Sequence, residues 1–173
     1  MPTPITVTLE WLHIDRKNPD YNYASSNYAE TILNETYDRI IIMGAALPSL
    51  PDDITVTNQR IELDRSDGEY GYGQIKQLLR GMSKTGSTGN MLNIHTDKHW
   101  YSGGLFDKAI DLTNIFWSGG FSSDNPRVCS GNANLKSYIE GKGQSGWVLF
   151  GIITTQPNYY IYTNGARLKF DYT

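Results

Sequence analysis

One cysteine, Cys129, is present in the 173 residues. It rules out an internal disulfide, so covalent cross-links do not hold this chain together. Charge is scarce as well: 19% of residues are charged and the net charge is −3. No run of like charges occurs, which excludes the basic stripe of a nucleic-acid binder and the polybasic patch of a membrane-surface protein. No apolar stretch has the length of a membrane span. The N-terminus, Met-Pro-Thr-Pro-Ile-Thr-Val-Thr-Leu, lacks the basic and apolar regions of a secretory leader, and none is expected. Leucine and alanine do not dominate, which argues against a helical bundle.

Glycine (17) and tyrosine (12) fill the gap, with threonine, asparagine and serine. Thr and Tyr suit the pleated surface of a strand, while Gly and Asn supply tight turns. The length fits one domain, residues 1–173, with a full core.

Periodicity gives the strands. Ile5, Val7, Leu9 and Trp11 alternate with Thr6, Thr8 and Glu10, the pattern of a half-buried strand. Residues 40–43, Ile-Ile-Ile-Met, and 147–153, Trp-Val-Leu-Phe-Gly-Ile-Ile, are continuous apolar runs, as expected for strands covered on both faces. Residues 28–33 read as a short strand. Ile54 and Val56 are out of phase with Ile61 and Leu63, which predicts a bulge near Asn58-Gln59. At the C-terminus Ala166, Leu168, Phe170 and Tyr172 alternate with polar residues, and Asn164-Gly165 reads as a hairpin turn.

Two short helices are expected. Ile75, Leu78, Leu79 and Met82 form an i, i+3, i+4, i+7 stripe over 74–82; Leu135, Tyr138 and Ile139 form another, capped by Asn132 or Asn134. Residues 118–131 read as a long loop. These elements predict an all-β fold, a two-sheet antiparallel β-sandwich of the jelly-roll kind with one or two short helices.

The order of features resembles the DNRLRE-type β-sandwich family. The similarity rests on residues 39–43, the turn Leu47-Pro48-Ser49-Leu50-Pro51, and residues 54–63. It returns in the short helix at 135–139, the Gly-bounded turn at 141–146, the strand starting Trp147-Val148-Leu149-Phe150, and the final strand 166–173. The resemblance implies a non-catalytic module of a secreted carbohydrate-active or cell-surface protein, with related jelly rolls on virions.

Three groups of residues carry candidate chemistry. Aromatics beside Gly, Asn, Ser or Asp suit the stacking of sugar rings or the anchoring of a protein partner; Trp100, Tyr101, Trp117, Tyr70 and Tyr72 are the candidates. His95, Asp97 and His99, spaced by two, would share one face of a strand and could hold a metal ion. Asp64, Asp67 and Glu69 resemble part of an oxygen-rich calcium loop. Apart from that calcium no cofactor is expected. No Gly-x-Ser-x-Gly, phosphate loop or dinucleotide fingerprint occurs. The chain is therefore expected to be a structural or adhesion protein of a phage virion surface. It would contact other virion proteins or a surface glycan, as a homo-oligomer in one arrangement. The alternative is an extracellular carbohydrate-binding module of a polysaccharide-active enzyme or adhesin.

Overall fold

The computed structural model describes residues 1–15, 29–36, 38–65, 70–77, 84–88, 91–94, 110–119, 125–143, 146–154, 157 and 160–173. Its elements in chain order are β1 (Thr3–Asp15), β2 (Ala29–Leu33), β3 (Asp38–Ala46), β4 (Val56–Arg65), β5 (Tyr70–Gln77), β6 (Lys84–Thr88), β7 (Met91–Ile94), β8 (Phe116–Gly119), β9 (Arg127–Ser130), α1 (Ala133–Glu140), β10 (Trp147–Thr154) and β11 (Tyr160–Tyr172). The chain is all-β and its strand pairings are antiparallel.

Nine strands form one sheet in the order β8-β5-β10-β3-β1-β11-β4-β9, with β2 wedged between β11 and β3. The walls of the expected sandwich are thus continuous: one sheet curls around a common interior and comes close to closing. Val7, Leu9, Trp11, Ile41, Met43, Ile61, Phe150, Leu168 and Phe170 fill that interior. Ile40, Ile42 and Leu149 are buried as well, on the other face of β3 and β10. These two strands are covered on both sides, as their unbroken apolar runs require. Strand β7 lies against β1 and β3.

The ladders sort the barrel into two ends. Asp15 pairs with Arg39, Thr154 with Gly73, and Tyr160 with Tyr70 at one end. Thr3 pairs with Tyr172, Trp147 with Ala46, and Gln77 with Phe150 toward the other. Helix α1 covers the second end by burying Leu135, Tyr138 and Ile139. Asn132 is its N-cap, accepting from the Asn134 and Leu135 N–H groups at 2.9 and 3.1 Å. Among the described residues no helix is long and apolar enough to cross a membrane.

Two bulges bend β4 and β11 enough for the sheet to curl. The first is the one expected at Asn58-Gln59: the register shifts between Lys169 and Asp171, and Asn58 takes a positive φ of 55°. The second corrects the sequence reading. Asn164-Gly165 is not a hairpin, because β11 runs unbroken from Tyr160 to Tyr172 and its register against β4 shifts between Thr163 and Gly165. A turn signal is overridden where a neighbouring strand pairs along both halves, and the extra residue is absorbed as a bulge. A Cβ at Gly165 would collide with the Asp64 carboxylate.

Two further expectations fail. Residues 74–77, expected to open a helix, belong to β5, where Ile75 is buried while Gln74 and Lys76 are not fully so; the rest of that stripe lies outside the described residues. The stretch 118–131, expected as a loop, holds the end of β8 and all of β9, whose burial alternates from Arg127 through exposed Val128 to buried Cys129. Four residues are too few for periodicity to be visible in sequence.

Phe170 is fully enclosed, at 1% exposure, between strands β1 and β4. Phe170→Ala is expected to lower unfolding free energy by about 3–5 kcal/mol, measured by urea denaturation; an unchanged midpoint would mean the inward face of β11 is misassigned.

Candidate functional site

The end of the barrel opposite α1 gathers the groups able to do something other than pack. The inward phase of β1 runs Val7, Leu9, Trp11, His13, Asp15, and all five are buried. The apolar stripe thus ends in an imidazole and a carboxylate. From β2 comes buried Glu30, and from the start of β3 comes Arg39.

Arg39 joins them. Its Nη1 bonds the Glu30 carboxylate and its Nε lies 3.6 Å from Asp15 Oδ2. Asp15 Oδ1 accepts from the Asp38 N–H at 3.2 Å, and His13 Nδ1 accepts from the Glu30 N–H at 3.0 Å. His13 therefore serves as a neutral acceptor. Burial, and then the positive charge of Arg39, push its pKa from 6.5 down to about 4, against the opposing pull of Asp15.

Threonines carry this cluster across to the neighbouring strands. Thr31 Oγ1 donates to Arg39 O at 2.9 Å and accepts from the Thr154 N–H at 3.1 Å. Thr154 Oγ1 in turn donates to Tyr72 O at 3.3 Å. The backbone that presents Tyr72 is thereby tied to the charged cluster.

Tyr72 on β5 stands directly opposite Trp117 on β8. Their rings lie 4.6 Å apart, tilted by 52°, and Tyr72 is 38% exposed. Directly opposed rings on adjacent strands hold each other in place, contributing about 0.5–1.5 kcal/mol beyond burial. Next along β5, Gln74 donates from Nε2 to Thr113 O at 3.3 Å. Lys76 pairs with Asp111 at 3.3 Å. Beneath the pair, Gly73 leaves room that Phe116 and Ile161 occupy; a Cβ there would collide with Ile161 Cδ1 and sit 3.0 Å from Phe116 Cζ.

Two of the five aromatic candidates thus come together. Tyr72 and Trp117 are a tilted pair in ring contact, and the backbone of Tyr70 lies two positions before Tyr72 on β5, opposite Gly119. Trp100 and Tyr101 lie outside the described residues, as do the metal candidates His95, Asp97 and His99 and the calcium candidates Asp67 and Glu69. Asp64 is described, and both its oxygens accept from Arg167, at 2.7 and 2.8 Å. That bidentate bond holds its carboxyl below the usual range and engages the atoms a calcium ion would need. Beside it, Glu62 meets Lys169 at 3.1 Å and Arg60 at 3.2 Å. Burial alone would raise its pKa, but the bonds from Lys169 and Arg60 outweigh it and hold it low. Among the described residues no group of three or more His, Cys, Asp or Glu is placed to hold a metal ion.

None of the three candidate groups read from the sequence includes a member of the charged cluster. The signal was the phase of β1: His13 and Asp15 continue the odd-numbered stripe of core residues, so they point inward. Further cavities lie elsewhere among the described residues. One, of about 290 Å³, sits beside α1 and includes Gln77, Asn134 and Ser137; another, of about 640 Å³, adjoins the Asn58 bulge. In the second, Asn58 is bonded to Asp171 and Gln59 to Gly131 and Asn132.

No family model and no curated protein matches this chain.

The buried histidine sets a pH dependence. A pKa lowered in the folded state means that the unfolded chain takes up the proton first. The His13 contribution is therefore intact above pH 6.5 and is lost as pH falls from 6.5 toward 4, by about 3 kcal/mol. Glu62 and Asp64, held below 4.5 and 3.8, lose their contributions at still lower pH. In melts between pH 7 and 4.5, His13→Gln is expected to flatten the slope; an unaltered slope would mean that His13 is not the titrating group.

Proposed function

We propose that this chain is a non-catalytic adhesion domain that takes a glycan on the outward face of β5 and β8. The observation carrying the reading is the Tyr72–Trp117 pair: two rings in van der Waals contact, Tyr72 open to solvent, presented from a sheet strand instead of a mobile loop. Sugars offer apolar C–H faces to such rings. Gln74 and the Lys76–Asp111 pair continue the strip with groups able to bond hydroxyls. A rigid platform loses little entropy on binding. The buried charged cluster supports the platform from behind and is itself 2–6% exposed at His13, Asp15 and Glu30, which favours a structural role for its carboxylates over hydrolysis.

The resemblance in feature order to DNRLRE-type domains points to the same class of activity. The setting is a virion surface, where a phage part must grip a host glycan or a neighbouring virion protein; a secreted polysaccharide-active protein would use the same face.

Tyr72→Ala and Trp117→Ala are each expected to weaken glycan binding at least about tenfold, equivalent to about 1.4 kcal/mol, while the melting temperature stays within a few degrees. Glycan-array screening followed by titration calorimetry reads this directly. Full binding by the double variant would place the contact elsewhere.

A further inference from the structure

Along β5 the buried residues are Gly71, Gly73 and Ile75, so Tyr72, Gln74 and Lys76 share the outward face. The aromatic pair lies at one end of this row, where Tyr72 opposes Trp117. A second cross-strand pair lies at the other end, where Lys76 opposes Asp111 through an isolated bridge. Two backbone bonds frame that bridge: the Gln77 N–H donates to Ile110 O and the Leu112 N–H to Ile75 O, both at 2.9 Å. Bonds in those positions make Lys76 and Asp111 a non-hydrogen-bonded pair, the kind whose side chains stand closest. Lys76 Nζ lies 3.3 Å from Asp111 Oδ1; the Lys76 side chain is largely covered, while that of Asp111 is about half exposed.

The facing segments differ in length between the two pairs. Four positions separate Tyr72 from Lys76, whereas six separate Trp117 from Asp111. Leu112 and Thr113 are buried, while Asn114 and Ile115 are exposed, Ile115 at 57%. The surplus residues thus sit at the outer rim, beside Gln74, whose Nε2 donates to Thr113 O. The aromatic pair, Gln74 with that rim, and the ion pair follow one another along one strand face. Four residues of strand span about 13 Å, which is longer than a single sugar ring.

We propose that the bound glycan is a neutral, linear oligosaccharide lying lengthwise on β5. One ring lies against Tyr72 and Trp117, and the hydroxyls of a ring further along are bonded by Lys76 and Asp111. The inference rests on the glycan reading above and adds the ligand's length and charge. An ammonium offers only donors and a carboxylate only acceptors. Adjacent hydroxyls on one ring do both, so they meet both partners at once. The two charges offset each other, and a charged sugar gains attraction to one partner with repulsion from the other.

The test titrates the full chain with cello-, manno- and malto-oligosaccharides from mono- to hexasaccharide, and with galacturonate oligomers as the charged counterpart. Affinity for one neutral series is expected to rise about tenfold or more up to the length that reaches the ion pair, then to level off. Asp111→Asn and Lys76→Gln should each remove most of that rise. Exposed ion pairs add little stability, so the melting temperature should stay within a few degrees. Tyr72→Ala should instead weaken binding at every length. A rise that persists in both ion-pair variants would overturn the proposal. So would an equal loss at every length accompanied by a lower melting temperature, which would make the ion pair a clamp on residues 110–112 only. Tighter binding of the galacturonate series would overturn the neutral assignment. Binding that does not grow with length but is lost in Tyr72→Ala would remove this inference and leave the aromatic platform standing; binding of none of the series would remove both.

Discussion

Arg39 lies between two buried carboxylates, Asp15 and Glu30, and ties three strands together at the end of the barrel opposite α1. Strand β1 reaches this end having left β11, and β2 takes its place as the neighbour of β11. The changeover leaves polar backbone and side chains inside the wall, and the arginine and the neutral His13 supply their partners. Ion pairs of this kind gain little over a well-packed apolar substitute, yet losing one member costs about 3–5 kcal/mol, because the others are left charged and buried. The cluster therefore fixes one arrangement of β1, β2 and β3 more than it adds stability. Through Thr31 and Thr154 the same arrangement reaches the backbone of Tyr72.

Much of the fold was legible because burial imposes a period. The alternation of Ile5 to Trp11 and of Ala166 to Tyr172 marks two strands that are half exposed. The unbroken runs at 40–43 and 147–153 mark two that are covered on both faces, and β3 and β10 are neighbours in the sheet. Even the Asn58 bulge could be read, since a phase error between Ile54 and Ile61 has no other remedy within one strand. What failed did so for physical reasons. Asn164-Gly165 has the chemistry of a turn, and only the continuous partnership of β4 with β11 converts it to a bulge. β9 is too short to show a period. The near-closure of the sheet depends on pairings between residues far apart in sequence, such as Leu63 with Arg127, which no local pattern encodes.

The site was legible by halves. Tyr70, Tyr72 and Trp117 were recognisable as rings among small and polar residues, but not that Tyr72 and Trp117 would be cross-strand partners. The charged cluster left a trace in the phase of His13 and Asp15. Its other members, Glu30 and Arg39, reach it through tertiary pairing alone. The result is a division of labour along the barrel axis: α1 and the apolar residues beneath it close one end, while the other carries a buried polar frame with an aromatic pair mounted on it.

Backbone amide chemical shifts, followed while a binding glycan is titrated in, test this division most directly. The account predicts that the perturbed amides cluster on β5 from Tyr70 to Gln74 and on β8, with those of α1 and of residues 47–55 unmoved. Perturbations confined to α1 and the cavity beside it would contradict it, because the ligand would then occupy the closed end of the barrel.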